Sequence, residues 1–246
     1  MRRLLCLLVT AMTAAITVMS QNVQLHYDMG HTLYSNLTSR PNVTSTVEMF
    51  KPDRWGSTFL FADIDYYTDG AAGAYWEIAR ELNVSRNRRW ALHLEYNGGA
   101  ATVEHTSIAS RIQHAALIGG AWNWGNADFS KTFSLQALYK RYFHGQYRDA
   151  YNSFQLTAVW GANFAHGLVS FSGYCDLWHD PDVNGKLILQ SEPQLWINLW
   201  HLPAVSDDLH LSVGTELEVS NNFVFNDEGQ RNRFYAIPTL GVKWTF

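Results

Sequence analysis

The stretch Leu209-His210-Leu211-Ser212-Val213-Gly214-Thr215-Glu216-Leu217-Glu218-Val219 decides the fold. Leu209, Leu211, Val213, Thr215, Leu217 and Val219 fall on one phase, and His210, Ser212, Gly214, Glu216 and Glu218 on the other. Successive side chains of an extended chain point to opposite faces, so this is a strand with one greasy and one polar face. The same period of two runs through Phe154-Gln155-Leu156-Thr157-Ala158-Val159-Trp160 and Trp90-Ala91-Leu92-His93-Leu94-Glu95-Tyr96. Helical periodicity is nearly absent after Gln21.

Pattern matching along the chain places about twelve strands. They fall near Asn22–His31, Ser45–Lys51, Trp55–Tyr67, Ala74–Leu82, Trp90–Asn97, Ile108–Trp124, Phe129–Phe143, Ser153–Phe164, Leu168–His179, Leu187–Leu199, Leu209–Phe223 and Arg231–Phe246. No repeat, linker or low-complexity tract divides them, so residues 21–246 read as one domain. Tight connections such as Lys51–Arg54 and Ala165–Gly167 alternate with longer polar ones such as Thr32–Thr44 and Asp180–Lys186. Short turns on one rim and long loops on the other are expected of a transmembrane antiparallel up-and-down β-barrel. An even strand count sets both chain ends on the short-turn rim.

Composition narrows the field. Of 246 residues, 47% are hydrophobic, 14% aromatic and only 16% charged. Such a chain has ample apolar surface to bury, which excludes disorder. A net charge of −4 lacks a basic footprint, so no nucleic-acid partner is expected. Two cysteines exclude a disulfide scaffold. The N-terminus has its own logic. Arg2 and Arg3 precede an apolar run from Leu4 to Val18, with small residues Val18 and Ser20 before Gln21. That is the layout of a secretory signal peptide over residues 1–20.

Alternation alone does not say which face meets water. Three features favour lipid outside. Trp55, Trp76, Trp90, Trp122, Trp124, Trp160, Trp200 and Trp244 sit where segments end, as rings do in the girdles of a membrane barrel. The signal sends the chain out of the cytoplasm. The chain closes on Leu240, Val242, Trp244 and Phe246 at strict alternation. A terminal aromatic of this kind resembles the assembly signal of Gram-negative outer-membrane barrels, which makes the barrel assembly machinery an expected partner of Phe246 and outer-membrane lipid another.

With the apolar phase outward, the inward set follows. It includes Phe59, Phe61, Asp63 and Asp65 on the third strand and Tyr75, Glu77 and Glu81 on the fourth. Elsewhere it includes Glu95, Arg111, Gln113, Lys140, Tyr174, Asp176, Trp178, Glu192, Gln194, Trp196, Glu216, Glu218, Arg233, Tyr235 and Lys243. Arg80 then points at lipid, which is costly unless it snorkels to a rim or a bulge shifts the register. A mixed lumen of this kind has two readings. Cross-strand ion pairs hold the barrel rigid, or rings and carboxylates form weak, repeated contacts for a passing solute.

The run Trp55-Gly56-Ser57-Thr58-Phe59-Leu60-Phe61-Ala62-Asp63-Ile64-Asp65, followed by Ala74-Tyr75-Trp76-Glu77-Ile78-Ala79-Arg80, resembles the early strands of the nucleoside-specific (Tsx-type) outer-membrane channel family. The resemblance implies a twelve-stranded monomeric barrel with a narrow lumen and passive uptake of nucleosides and related solutes. It carries Phe59, Phe61, Asp63 and Asp65 over as lumen residues, with Tyr75 and Glu77 beside them.

Other constellations are weaker. Asp180, Asp182, Asn184 and Gly185 match the start of a calcium loop, but Ser191 holds the twelfth position and Glu192 comes one late. Turn chemistry accounts for the same residues. Ser107, His105 and His114 could serve an outer-membrane barrel enzyme acting on lipid acyl chains, yet no motif ties them together. A plugged structural or adhesive barrel is the third reading. The expectation is therefore a non-enzymatic outer-membrane barrel with no cofactor or metal, passing small polar solutes by facilitated diffusion.

Overall fold

The computed structural model describes residues 20–102 and 108–246. Its strands are β1 (Ser20–Asp28), β2 (Val43–Pro52), β3 (Gly56–Tyr67), β4 (Gly70–Asn83), β5 (Trp90–Thr102), β6 (Ala109–Gly125), β7 (Lys131–Tyr142), β8 (Tyr151–Phe164), β9 (Val169–His179), β10 (Leu187–Ser191), β11 (Gln194–Asn198), β12 (Leu211–Asn221) and β13 (Phe234–Thr245). A one-turn helix α1 (Gly30–Leu33) follows β1. The expected signal segment lies outside the described residues, save Ser20, which pairs with Phe50 at the start of β1.

Each strand pairs antiparallel with its sequence neighbours, except that β10 and β11 do not pair with each other, and β1 also pairs with β13. The sheet therefore closes on itself. Segments β10 and β11 share both neighbours, β9 and β12, and form one strand interrupted at Glu192 and Pro193. Proline has no N–H to give the ladder, but the backbone bonds Glu192 N–H to Tyr174 O and Leu217 N–H to Pro193 O bridge the break. Opposite it, Gly173 sits at φ +154° with the Glu192 carbonyl where a Cβ would stand. The wall is thus a closed antiparallel barrel of twelve strands. Closure removes every free edge, the only way a sheet can satisfy its backbone inside a bilayer.

Both ends of the described barrel lie on one rim, where the turn 53–55 and the segments 84–89, 126–130 and 165–168 also lie. Two connections break the short-and-long rule. Thr68 and Asp69 make a tight hairpin on the loop rim, and 199–210 is a long connection on the terminal rim. The tryptophans do not divide between two girdles. Trp55, Trp90, Trp122, Trp124, Trp160, Trp200 and Trp244 gather on the terminal rim, with Trp76 the exception among those expected to ring the barrel. Towards the loop rim the outward rings are tyrosines and phenylalanines, among them Tyr27, Tyr139, Phe154 and Phe234.

The barrel is inside out. On β1, Leu25 is 48% exposed while its neighbour Gln24 is 1% exposed. Val23, Tyr27, Ile78, Ile118, Leu135, Leu156, Ile197 and Val242 are exposed, and Asn22, His26, His93, Asn97, Lys140, Gln155 and Ser212 are buried. A water-soluble domain sorts these residue types the other way.

Two arginines test the assignment of faces. Arg80 stays on the outward phase opposite Thr58, with no register shift there. It snorkels to the rim, bonding Asp53 in the β2–β3 turn through Nη1 to Oδ2 at 2.7 Å and Nη2 to Oδ1 at 3.0 Å. That pairing, with the backbone N–H groups of Trp55 and Gly56, holds the Asp53 carboxyl down at about 2. Arg111 is not inward. A register shift between Asn97 and Gly99 sets it opposite Ala100, which lies opposite outward Ala74.

Candidate functional site

The six side chains singled out on the early strands come together on one inner strip. Cross-strand register sets Phe61 beside Glu77 and Asp63 beside Tyr75. Phe59 and Phe61 have ring centroids 5.9 Å apart, and Phe61 and Tyr75 also 5.9 Å. Tyr75 O–H donates to Glu77 Oε1 at 2.6 Å. From β2, Thr46 Oγ1 donates to Asp63 and Thr44 Oγ1 to Asp65, each at 2.6 Å. The strip alternates a stacking face with oriented carboxylates.

A second cluster lies across the lumen and centres on Trp196, fully buried at 0% exposure. Lys243 Nζ of β13 sits 4.4 Å above its ring, and the His26 ring of β1 meets it edge-on at 5.6 Å. These contacts join strands that are not sheet neighbours, so they pass through the lumen. Trp196 Nε1–H donates to Gln194 Oε1 at 2.9 Å, and Gln194 Nε2 to Glu216 Oε2 at 2.6 Å. His26 shares hydrogen bonds with Thr239 and Gln24, both at 2.9 Å, and Asn22 donates to Glu48 at 3.2 Å. Sequence reading placed Trp196, Gln194, Glu216 and Lys243 inward but missed Asn22, Gln24, His26 and Glu48. The signal was present: Val23, Leu25 and Tyr27 fix the phase of β1.

A third cluster surrounds Lys140 of β7. Its Nζ donates to Gln155 Oε1 at 2.8 Å and lies 5.0 Å from the Tyr142 ring and 5.1 Å from the Trp178 ring. Glu77, Glu95 and Asp176 are its Coulombic neighbours. Nearer the terminal rim, His93 bridges Glu81 and Glu95, and Asn123 donates to Glu81 at 2.7 Å. Polar hydrogen bonds thus recur down the inner wall, with a further group of Asn198, Ser170 and Ser212 at the terminal rim.

Loops fold over the opposite mouth. Leu37 from loop 29–42 packs with Val224, Tyr235 and Ile237. Arg40 reaches inward to Asp28, Nε to Oδ2 at 2.8 Å, and to Glu218. Asp227 accepts four hydrogen bonds from the N–H and hydroxyl groups of Thr38 and Ser39. Those donors hold its carboxyl well below the usual carboxylate range. Asp180 is paired by Arg148 at 2.8 Å and Arg231 at 3.1 Å, and Arg148 also reaches Asp182 at 2.6 Å. Burial alone would push the Asp180 carboxyl up, but Arg148, the Asp182 N–H and Arg231 outweigh it and hold it down. The carboxylates of the calcium-like loop are therefore taken up by arginines. His105 and Ser107 lie outside the described residues, while His114 bonds Tyr96 O–H and stacks on Phe143 at 5.0 Å, on the outward face.

Residues 20–246 match a single family model, described as a domain of unknown function, DUF5020. The chain belongs to that family. The match spans the whole described barrel, and the family's description names no solute. No curated protein sequence matches the chain. Among solved structures, a NanC porin is similar over 92% of this chain and all of its own, with a TM-score of 0.56 at 10% identity. A KdgM porin covers 92% of this chain and 99% of its own at a TM-score of 0.47 and 10% identity. LpxR from Salmonella typhimurium covers 92% and 100% at 0.44 and 8%. At such identities the likeness to the NanC porin is one of fold: this family shares the barrel of outer-membrane porins.

Proposed function

We propose that this DUF5020 barrel is a passive channel of the Gram-negative outer membrane, reached after signal-peptide export, that passes small polar solutes by facilitated diffusion. The observation that carries it is the succession of polar, ionisable and aromatic side chains along the inner wall, from Asn198 and Ser212 through the clusters of Trp196, Lys140 and Tyr75 to Asp28 and Glu218. Weak contacts spread along a wall let a solute enter and leave without covalent chemistry or an energy source. Phe59, Phe61 and Tyr75 offer stacking faces, and Asp63, Asp65 and Glu77 accept hydrogen bonds from hydroxyls. Nucleosides belong to the class such a strip can hold. Phe246 is the handle for the barrel assembly machinery, and the barrel works as a monomer.

The test is single-channel current through purified protein in a planar bilayer while nucleosides, sugars and amino acids are titrated. Asp63→Ala with Asp65→Ala is expected to change cation preference or solute block. Unchanged conductance and block in a folded double variant would remove both residues from the path. A second reading, a closed structural barrel, is favoured by the loops that Arg40, Leu37 and Tyr235 tie over the mouth. Absence of any current would select it.

A further inference from the structure

Negative charge outweighs positive along the inner wall. Glu48, Asp63, Asp65, Glu192, Glu216 and Glu218 face one another from β2, β3, the β10–β11 strand and β12, within Coulombic reach. Arg40 stands at the loop end of this strip, and Lys243 reaches Glu48 from the other. Around Lys140 the imbalance repeats, with Glu77, Glu95 and Asp176 facing one ammonium group.

A cation already sits at the upper end, and it comes from a loop. Arg40 gives Nε to Asp28 and Nη2 to Glu218. It leaves an acceptor over. Glu218 Oε1, in a residue 7% exposed, is buried with no hydrogen-bond partner among the described residues. So is the hydroxyl of Ser220, the next inward residue on β12 and 0% exposed. Buried polar atoms are nearly always paired, so an orphaned acceptor beside a seated guanidinium marks a place where a further donor fits.

We propose that the lumen receives small organic cations, solutes bearing a guanidinium or ammonium group, on the strip of Glu218, Glu216 and Asp63, and that Arg40 is a tethered competitor for its upper end. Exchange is the point of the arrangement. An incoming cation takes over the carboxylates that Arg40 gives up, so these buried acids are never left without a counter-charge. Asp227 keeps the competitor close by holding Thr38 and Ser39. The inference deepens the channel reading and rests on it for the route, while binding itself does not require conduction.

Calorimetry on the detergent-purified barrel tests it, with arginine methyl ester, uridine and glucuronate as probes at low and high salt. The ester is expected to bind best, to weaken with salt, and to lose about tenfold in affinity in the Glu216→Gln, Glu218→Gln double variant. Arg40→Gln should bind it more tightly. Should the double variant fail to fold, as read by heat-modifiable gel mobility, Asp63→Asn carries the same expectation in direction. Glucuronate binding as well as the ester, or ester affinity unmoved by these carboxylate changes, overturns the cation site. Unchanged affinity in Arg40→Gln overturns the competitor. A zero-current potential in a KCl gradient, taken in a bilayer, should show cation preference. No current at all would sink the channel reading, and calorimetry alone would then decide the site.

Discussion

The outer and inner faces of the wall are built from the same strands and obey opposite rules. Ile118 and Leu117 are neighbours on β6, yet the first is exposed and the second buried. Outside, apolar side chains lie open because hydrocarbon is their solvent. Inside, Gln24, His26, Lys140 and Glu218 are buried because they find polar partners on their own strand, on the next strand or on a loop that enters the mouth. Burial in this chain therefore measures crowding around a bore, and exposure measures contact with lipid.

The sharpest way to break that contrast is to put the same charge on each face. Ile118→Arg should destabilise the barrel by about 2–4 kcal/mol near the bilayer midplane, read by urea unfolding in vesicles. Gln136→Arg, on the inward phase, should cost distinctly less. Equal costs would mean that the faces do not differ. Next in size, Lys140→Met leaves Gln155 without its donor and removes the ammonium group that Glu77, Glu95 and Asp176 share, a loss of about 1–3 kcal/mol by the same unfolding measurement.

The two rims offer a second comparison, because among the described residues the ion pairs that join one loop to another lie on the loop rim. Asp227→Ala should free loop 29–42 and speed amide exchange at Thr38 and Ser39 while leaving the strands protected. Acid should act on the same knot. Asp180 and Asp227 are held below their ordinary values, so the stability they give is complete above the unfolded pKa near 3.9 and is lost as pH falls through the folded values. Protection in the loops, the exchange rate divided into its intrinsic value at each pH, should be flat from neutral pH to about 5 and fall only below about 4. Smallest of all, Arg80→Ala removes an exposed pair with Asp53 and should barely move the unfolding midpoint.

Much of this was legible because a barrel writes its faces into every second residue. Leu209 to Val219 and Phe154 to Trp160 show the phase plainly, and Trp196, Lys140 and Lys243 follow from it. Strand β5 runs on to Thr102 where reading stopped at Asn97, because Gly98, Gly99, Ala100 and Ala101 have too little side chain to alternate. Arg111 was misplaced by a register shift, which no local pattern announces. Strand β2 was the least secure because Ser45 stands on its outward phase, and Glu48 was lost with it. Arg40 was beyond sequence reading altogether. Its partners Asp28 and Glu218 lie at distant positions in the chain, and only closure of the sheet brings them to one mouth.

Site-directed spin labelling in lipid vesicles addresses the inversion most directly. With Cys175 replaced by serine, nitroxides go singly at Leu25, Ile118 and Leu195, and singly at Gln24, Leu117 and Gln194. The first set should collide freely with oxygen dissolved in the bilayer and hardly at all with a water-soluble nickel chelate, and the second set should show no such lipid signature. Oxygen accessibility that is high at the second set and low at the first would contradict an inside-out barrel.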